Sequence, residues 1–98
     1  MKTPQEVYDF LVNHMKKCNP SYSKWYAGIA TDPRDRLFVD HNVDEENGTW
    51  AYETCATSDG ARNVEKALLD LGCQGGDGGG DSSTKSCYVY LITSQTRK

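Results

Sequence analysis

The sequence predicts a small α+β domain in which about three helices flank a three-stranded, mainly antiparallel sheet. Helices are indicated by apolar residues at helical spacing, preceded by residues that cap helices. Strands are indicated by three short runs in which successive side chains point to opposite faces. A chain of 98 residues with 37% hydrophobic content can bury one core, so a single domain over residues 1–98 is expected.

The first helix is expected within residues 1–18. Thr3 to Glu6 has the form of a capping box, with Pro4 at the first helical position. An apolar stripe at helical spacing predicts a packed face, which comprises Val7, Phe10, Leu11, Met15 and Cys18. His14 joins this stripe, where a lone histidine is more often packed or capping the helix end than a ligand or base.

The first strand is expected over residues 24–31. Alternation places Trp25, Ala27 and Ile29 on one face. The opposite face receives Tyr26, Gly28 and Ala30. Gly28 leaves room for a group to approach the backbone, which suits a substrate groove and equally suits a packed helix.

A helix is expected directly after this strand. Asp32 is a good N-cap and Pro33 is preset for the first helical position. Arg36 then lies one turn into the helix, while Tyr26 lies back on the strand. A tyrosine hydroxyl and a guanidinium can therefore converge on one pocket.

Three further segments complete the domain. A second strand is expected over residues 49–57, and a helix capped by Ser58 or Asp59 and ended by Gly72 follows it. The last strand is expected over residues 87–94, with Tyr88 and Tyr90 on one face. Residues 74–86 are rich in glycine, aspartate and serine, which predicts a flexible linker or a long surface loop.

The corner after the first strand resembles the second half of the GIY-YIG nuclease motif. In that family a Tyr-x-Gly strand leads through a segment like Thr-Asp-Pro to an arginine ten residues after the tyrosine, and Tyr26 and Arg36 keep that spacing. Residues 61–65 resemble the Ala-x-x-x-Glu segment that carries the metal-binding glutamate of the family, which corresponds to Glu65. The first family strand resembles residues 87–92, with Tyr90 as its tyrosine. The resemblance therefore implies a GIY-YIG-like domain with circularly permuted strand order.

The resemblance implies metal-dependent endonuclease-like hydrolysis of phosphodiester bonds in nucleic acid, in particular DNA. The catalytic residues it implies are Tyr26, Arg36, Tyr90 and His41, and Glu65 is the implied ligand of Mg²⁺ or Mn²⁺. Hard oxygen ligands suit both ions. Tyr26 would act on water, but a phenol with a pKa of about 10 needs help from the metal, a relay or a neighbouring base.

His41 departs from the family pattern, because the family histidine follows the arginine by four residues and here it follows by five. In a regular α-helix this offset rotates His41 away from Arg36, unless the helix ends or bulges first. Asp40 occupies the expected position. Arg34 could replace Arg36 if the helix started in a different register.

Two other interpretations stay open. A non-catalytic interaction module could keep this scaffold and bind a protein or a nucleic acid, and fold alone never establishes activity. The net charge of −3 favours it, because nucleic-acid binding relies on cations. Alternatively the resemblance is accidental, so that Tyr26 is a half-buried strand aromatic and Glu65 a solvated flank residue.

The remaining features concern location and cysteine chemistry. No apolar run is long enough to span a membrane and no leader pattern opens the chain, so a cytoplasmic protein without a membrane partner is expected. The four cysteines are widely separated and form no Cys-x-x-Cys pair. Buried free thiols are therefore expected rather than a zinc site.

Overall fold

In the computed structural model, which describes residues 2–75 and 82–98, the chain forms three helices and a three-stranded antiparallel sheet, as predicted. The helices are α1 (Pro4–Cys18), α2 (Pro33–Asp35, continued by a π-helix over Arg36–Asp40) and α3 (Ser58–Leu71). The strands are β1 (Trp25–Ala30), β2 (Trp50–Thr54) and β3 (Ser86–Leu91). Their order in the sheet is β1-β3-β2, so the last strand of the sequence lies between the other two.

Helix α1 begins with the predicted capping box. The Thr3 hydroxyl accepts from the Glu6 N–H at 3.2 Å, and the Thr3 N–H donates to the Glu6 carboxylate at 3.0 Å. Its buried residues are Val7, Leu11, Val12 and Met15. The prediction was wrong for Phe10, which is 45% exposed, because a stripe of 3.6-residue period through Val7, Leu11 and Met15 turns away from it. Cys18 is also exposed, since it ends the helix.

The N-cap of helix α3 lies one residue before Ser58, the earlier of the two predicted caps, Ser58 and Asp59. Thr57, in an extended conformation, is the N-cap, and its hydroxyl accepts from the Gly60 N–H at 3.0 Å. Ser58 is already the first helical residue. Gly72 ends the helix as predicted, with a φ of 128° that favours glycine over any residue with a Cβ.

The sheet has two buried faces, and the predicted alternation is confirmed on each strand. Helices α1 and α3 cover the face that carries Trp25, Ala27, Ile29, Ala51, Cys55, Cys87 and Val89. The opposite face carries Ala30, Tyr88 and Tyr90 and packs against Leu37 and Val43. The sheet therefore separates a two-helix layer from a layer built by α2, the π-helix and the segment after it.

The glycine-rich segment joins α3 to β3. At its start, the Gln74 N–H donates to the Trp25 carbonyl and the Gln74 carbonyl accepts from the Ala27 N–H, both at 2.8 Å. At its end, Ser86 already belongs to β3. Residues 76–81, on which most of the linker prediction falls, lie outside the described residues.

All four cysteines are free thiols, and Cys55, Cys73 and Cys87 are buried as predicted. Burial raises the pKa of Cys73 to about 11, so this thiol stays protonated at neutral pH. Across residues 2–75 and 82–98, no helix combines the length and the apolar character that a membrane crossing requires.

Candidate functional site

The corner between β1 and α2 forms as the sequence predicts. Asp32 caps the helix, and its carboxylate accepts from the Asp35 N–H at 3.2 Å. Pro33 takes the first helical position and is buried. The cap and the proline together turn the chain from the sheet edge onto the tyrosine-bearing face.

After one α-helical turn the backbone widens into a π-helix. The His41 N–H donates to the Arg36 carbonyl at 2.9 Å, five residues back, and Leu37 and Val43 are buried against the sheet. In an α-helix of 3.6 residues per turn, residues five apart lie about 140° apart around the axis. The wider π-turn brings His41 back toward the face of Arg36. The offset of five residues is thus accommodated by a bulged helix.

Three tyrosines and His41 form a cluster on this face. β1 pairs with β3 so that Tyr26 lies opposite Tyr90 and Gly28 lies opposite Tyr88. The Tyr26 ring centroid is 5.2 Å from that of Tyr90 and 4.8 Å from that of His41. Tyr88 and Tyr90 are fully buried and Tyr26 is half-buried. Tyr26 is therefore the tyrosine of the cluster that meets solvent.

Hydrogen bonds connect the cluster to the C-terminal segment. The Tyr88 hydroxyl lies 2.8 Å from His41 Nε2, and His41 Nδ1 bonds to the Arg97 carbonyl. The Tyr90 hydroxyl donates to the same carbonyl at 3.0 Å. The Arg97 N–H donates to the His41 carbonyl at 2.7 Å.

These contacts determine the proton positions on His41. A carbonyl oxygen can only accept, so Nδ1 carries the proton that points to Arg97. Burial lowers the pKa of His41, which favours a neutral ring at pH 7. Nε2 is then unprotonated and accepts the Tyr88 hydroxyl proton.

The two buried phenols of the cluster, Tyr88 and Tyr90, are weak acids. Burial, assisted by the neighbouring Tyr26, raises the pKa of Tyr88 to about 12, although Arg36 opposes the shift. Burial, together with the neighbouring Tyr26 and Tyr88, also raises the pKa of Tyr90. Neither buried hydroxyl carries charge at neutral pH, so both act as hydrogen-bonding groups.

Arg36 lies at the mouth of the cluster. Its guanidinium makes a polar contact with the Tyr88 hydroxyl and a salt bridge of 3.2 Å with Asp40. Although partial burial opposes the charge, Tyr88 and Asp40 together raise the pKa of Arg36. About half of the side chain, 51%, stays exposed. A cation is thus held in a defined position with an open side.

A groove of about 360 Å³ adjoins this cation. We call it the Arg36 groove. Its polar lining consists of Thr31, Asp32, Asp35, Arg36 and Thr84. The groove is large enough for a phosphate or a sugar, and its cation is Arg36.

Arg34 points to a different environment from Arg36. Its guanidinium lies 5.1 Å from the Phe38 ring centroid and 5.9 Å from that of Trp50, and it forms an ion pair with Glu45. The register that places Arg36 beside the tyrosines is therefore the one the structure adopts. Arg34 belongs to the β2 side of the same face.

Glu65 lies in the other layer. It is half-buried on α3, whose buried residues pack against the helical face of the sheet. Burial raises the pKa of Glu65, and its carboxylate has a minor influence on the pKa values of Cys87 and Tyr88. Four of the five predicted site residues, Tyr26, Arg36, His41 and Tyr90, thus come together, and Glu65, on α3, lies near enough to Tyr88 to influence its pKa.

Tyr88 is the residue that the sequence prediction missed. The nearest atoms to a Cβ placed on Gly28 would be the Tyr88 hydroxyl oxygen at 2.5 Å and its Cζ at 2.6 Å. The open space beside Gly28 is therefore filled by Tyr88. Its position two residues before Tyr90, on the same strand face, was the available signal.

Comparisons with known proteins identify no family for this chain. The chain matches no protein-family model, and neither a curated protein nor a solved structure is significantly similar to it. Within the part of the chain that the structure describes, no group of three or more His, Cys, Asp or Glu side chains could hold a metal ion together.

Proposed function

We propose that this protein hydrolyses phosphodiester bonds in nucleic acid with the help of a divalent cation. The observation that carries the proposal is the convergence of Arg36, His41 and three tyrosines, which a π-turn and the pairing of β1 with β3 bring about. The same pairing supports the resemblance to a permuted GIY-YIG domain, because it alone brings Tyr26 and Tyr90 together.

Arg36 would contact the scissile phosphate. Its guanidinium is oriented by Tyr88 and Asp40 yet half exposed, so an entering phosphate finds donors that need little reorganisation. Arginine suits this role because its planar fork matches phosphate oxygens. His41 and the Arg97 carbonyl support this arrangement by holding Tyr88.

Tyr26 would orient and activate the attacking water. It is the half-buried member of the cluster, and its ring lies 4.8 Å from the neutral His41 ring. A phenol is a weak base, so the reaction depends on lowering the barrier by other means. A bound divalent cation would supply part of that effect by polarising the phosphate and acidifying water.

Glu65 would hold the cation. Mg²⁺ is usually held by one or two carboxylates, with water and substrate phosphates completing its shell. A single half-buried carboxylate fits that donor set. Mn²⁺ accepts the same oxygen ligands.

The test is cleavage of labelled single-stranded, duplex and branched DNA and of RNA, with and without Mg²⁺ or Mn²⁺. Glu65→Gln and Arg36→Lys are the informative variants, with Glu65→Ala and Arg36→Ala beside them. Lys66→Ala, on an exposed position of α3, is the matched control. Each variant is checked for folding by circular dichroism.

We expect metal-dependent cleavage that falls by at least about a hundredfold in the Arg36 and Glu65 variants and stays unchanged in the control. Activity that survives Glu65→Gln would remove Glu65 as the metal ligand. Cleavage without added metal, insensitive to chelator, would overturn the metal-dependent mechanism. Absence of cleavage on every substrate would overturn the hydrolytic proposal.

A non-catalytic interaction module is the second candidate. The observation that favours it is that the polar groups of the cluster already have partners within the protein. The Tyr88 hydroxyl bonds to His41, the Tyr90 hydroxyl bonds to the Arg97 carbonyl, and Arg36 pairs with Asp40. Such a network also serves as a rigid scaffold. Binding without cleavage in the assay above would select this function.

A further inference from the structure

We infer that a second groove, across the β1–α2 corner from Arg36, binds an unpaired stretch of the nucleic-acid strand. This groove has a volume of about 460 Å³ and is lined by Arg34, Tyr52, Thr54, Lys85 and Ser86, together with Thr31 and Asp32. We call it the Lys85 groove. The inference rests on the proposed function in one respect, because it names the substrate class of the same site.

The two grooves adjoin each other. Thr31 and Asp32 line both of them, so they meet at the corner that the helix cap and Pro33 create. A strand whose scissile phosphate lies at Arg36 would therefore pass over this corner into the Lys85 groove. Successive phosphates along one strand then meet cations on both sides of the corner.

The charge of the Lys85 groove suits a polyanion. Its lining carries two cations, Arg34 and Lys85, and one carboxylate, Asp32. The whole chain by contrast has a net charge of −3. Arg34 already pairs with Glu45, so Lys85 is the lining cation that would meet a phosphate of the backbone.

The aromatic residues beside the groove suit an unpaired base. Tyr52 is half-buried on edge strand β2, and its ring is nearly parallel to that of Trp50, with centroids 6.1 Å apart and an interplanar angle of 10°. Base stacking on aromatic rings needs a free π-face, which a base inside a duplex does not offer. A polar contact with Arg34 holds Tyr52 beside the cationic lining.

Lys85 and Tyr52 are the residues to replace. Arg34 is less informative, because it also pairs with Glu45 and packs on Phe38 and Trp50. Lys85→Ala removes a cation, and Tyr52→Leu removes the ring. Tyr52→Phe keeps the ring and loses the hydroxyl, and Lys66→Ala controls for loss of a lysine elsewhere.

Binding is measured by fluorescence anisotropy with labelled DNA and RNA single strands of about 12 nucleotides, and with a duplex of the same sequence. EDTA is present, so that binding is separated from cleavage. We expect single strands to bind more tightly than the duplex. Tyr52→Leu should weaken binding about tenfold, and Tyr52→Phe should resemble the parent. Lys85→Ala should weaken binding and reduce the slope of log K against log salt by about 0.7, while Lys66→Ala changes neither.

Each outcome separates this inference from the proposed function. Tighter binding of the duplex, or equal binding by Tyr52→Leu and Tyr52→Phe, would overturn the inference, as would equal effects of Lys85→Ala and Lys66→Ala. If the parent cleaves DNA but replacing Lys85 or Tyr52 leaves strand binding unchanged, the inference fails and the proposed hydrolytic function stands. If the expected binding pattern appears without cleavage, the Lys85 groove stands and hydrolysis fails.

Discussion

The backbone N–H of His41 donates a hydrogen bond of 2.9 Å to the carbonyl of Arg36, five residues earlier. This bond closes a π-turn, and it decides which side chains share the site. His41 Nε2 lies 2.8 Å from the Tyr88 hydroxyl, and Arg36 makes a polar contact with the same hydroxyl. Single π-turns occur often at functional sites, where they redirect side chains that a regular helix would separate.

Deleting Val39 should convert the π-turn into an α-turn without unfolding the domain. Val39 lies within the π-helix and is 62% exposed, so its loss removes little packing. His41 would then follow Arg36 by four residues, the spacing at which α-helical side chains are neighbours. We expect the variant to fold and to retain the contact between His41 and Tyr88, as measured by nuclear Overhauser effects between their rings.

Deletion of Leu37 is the matched comparison for deletion of Val39, because Leu37 is fully buried in the same helix. Its removal should destabilise the domain by about 2–5 kcal/mol, since a large core side chain is lost. Similar damage from both deletions would contradict the distinction between the exposed and the buried side of the π-helix.

The C-terminal segment should hold His41 in one tautomer. Its ring donates from Nδ1 to the Arg97 carbonyl, and the Arg97 N–H bonds to the His41 carbonyl at 2.7 Å. Arg97→Pro removes that N–H, so the segment should loosen. ¹⁵N chemical shifts should show the Nδ1–H form in the parent and a mixture of tautomers in the variant.

Lys98→Ala is the control, because Lys98 contacts Gln74 instead of His41. A parent protein in which Nε2 carries the proton would contradict the assigned hydrogen-bond directions. Unchanged shifts in Arg97→Pro would show that the Tyr88 hydroxyl and the Tyr90 hydroxyl, which lies 3.1 Å from Nδ1, suffice to hold the ring.

Stability should fall as the pH drops below about 6.5. Burial lowers the pKa values of both His41 and His14, so the unfolded chain takes up protons that the folded protein resists. Where the unfolded state binds more protons, the free energy of unfolding decreases as the pH falls. Thermal unfolding at about pH 7.5 and about pH 5.5 measures this loss.

The two histidines are separated by His41→Gln and His14→Gln. Each replacement should reduce the loss of melting temperature between the two pH values. The raised pKa of Glu65 acts in the opposite direction, which is why the variants are compared with the parent. A pH dependence that neither replacement changes would contradict the assignment.

Gly28→Ala should destabilise the domain by about 1–3 kcal/mol, because the new methyl would overlap the buried Tyr88 ring. Chemical denaturation measures the free energy of unfolding. In a Tyr88→Leu background the shorter side chain leaves room for the new methyl. Gly28→Ala should therefore lower the free energy of unfolding less there than in the parent. Equal costs in both backgrounds would show that the overlap is not the cause.

Local rules predicted most of the fold. The capping box at Thr3, the proline after Asp32 and the glycine after α3 are short-range signals, and strand alternation assigned each side chain to its face. The pairing of β1 with β3 could not be derived in this way. It joins segments about sixty residues apart, and no turn of defined geometry connects them.

The site was predictable where its residues lie on regular elements. Tyr26, Arg36 and Tyr90 lie where strand and helix geometry place them, and they come together. The π-turn was not predictable, because it depends on packing of Leu37 and Val43 against a sheet that forms elsewhere in the chain. The Arg97 carbonyl has no sequence signature, since every residue carries one.

The central position of β3 has a consequence for how the domain folds. β1 and β2 each pair with β3 and not with one another. Neither edge strand can therefore form its sheet hydrogen bonds until β3 has been synthesised. Contacts between distant segments slow folding, because the intervening chain must be ordered first. During synthesis, α1 and α3 can form early, but their apolar faces wait for a completed sheet. During this interval the exposed apolar surface makes the chain most prone to aggregation.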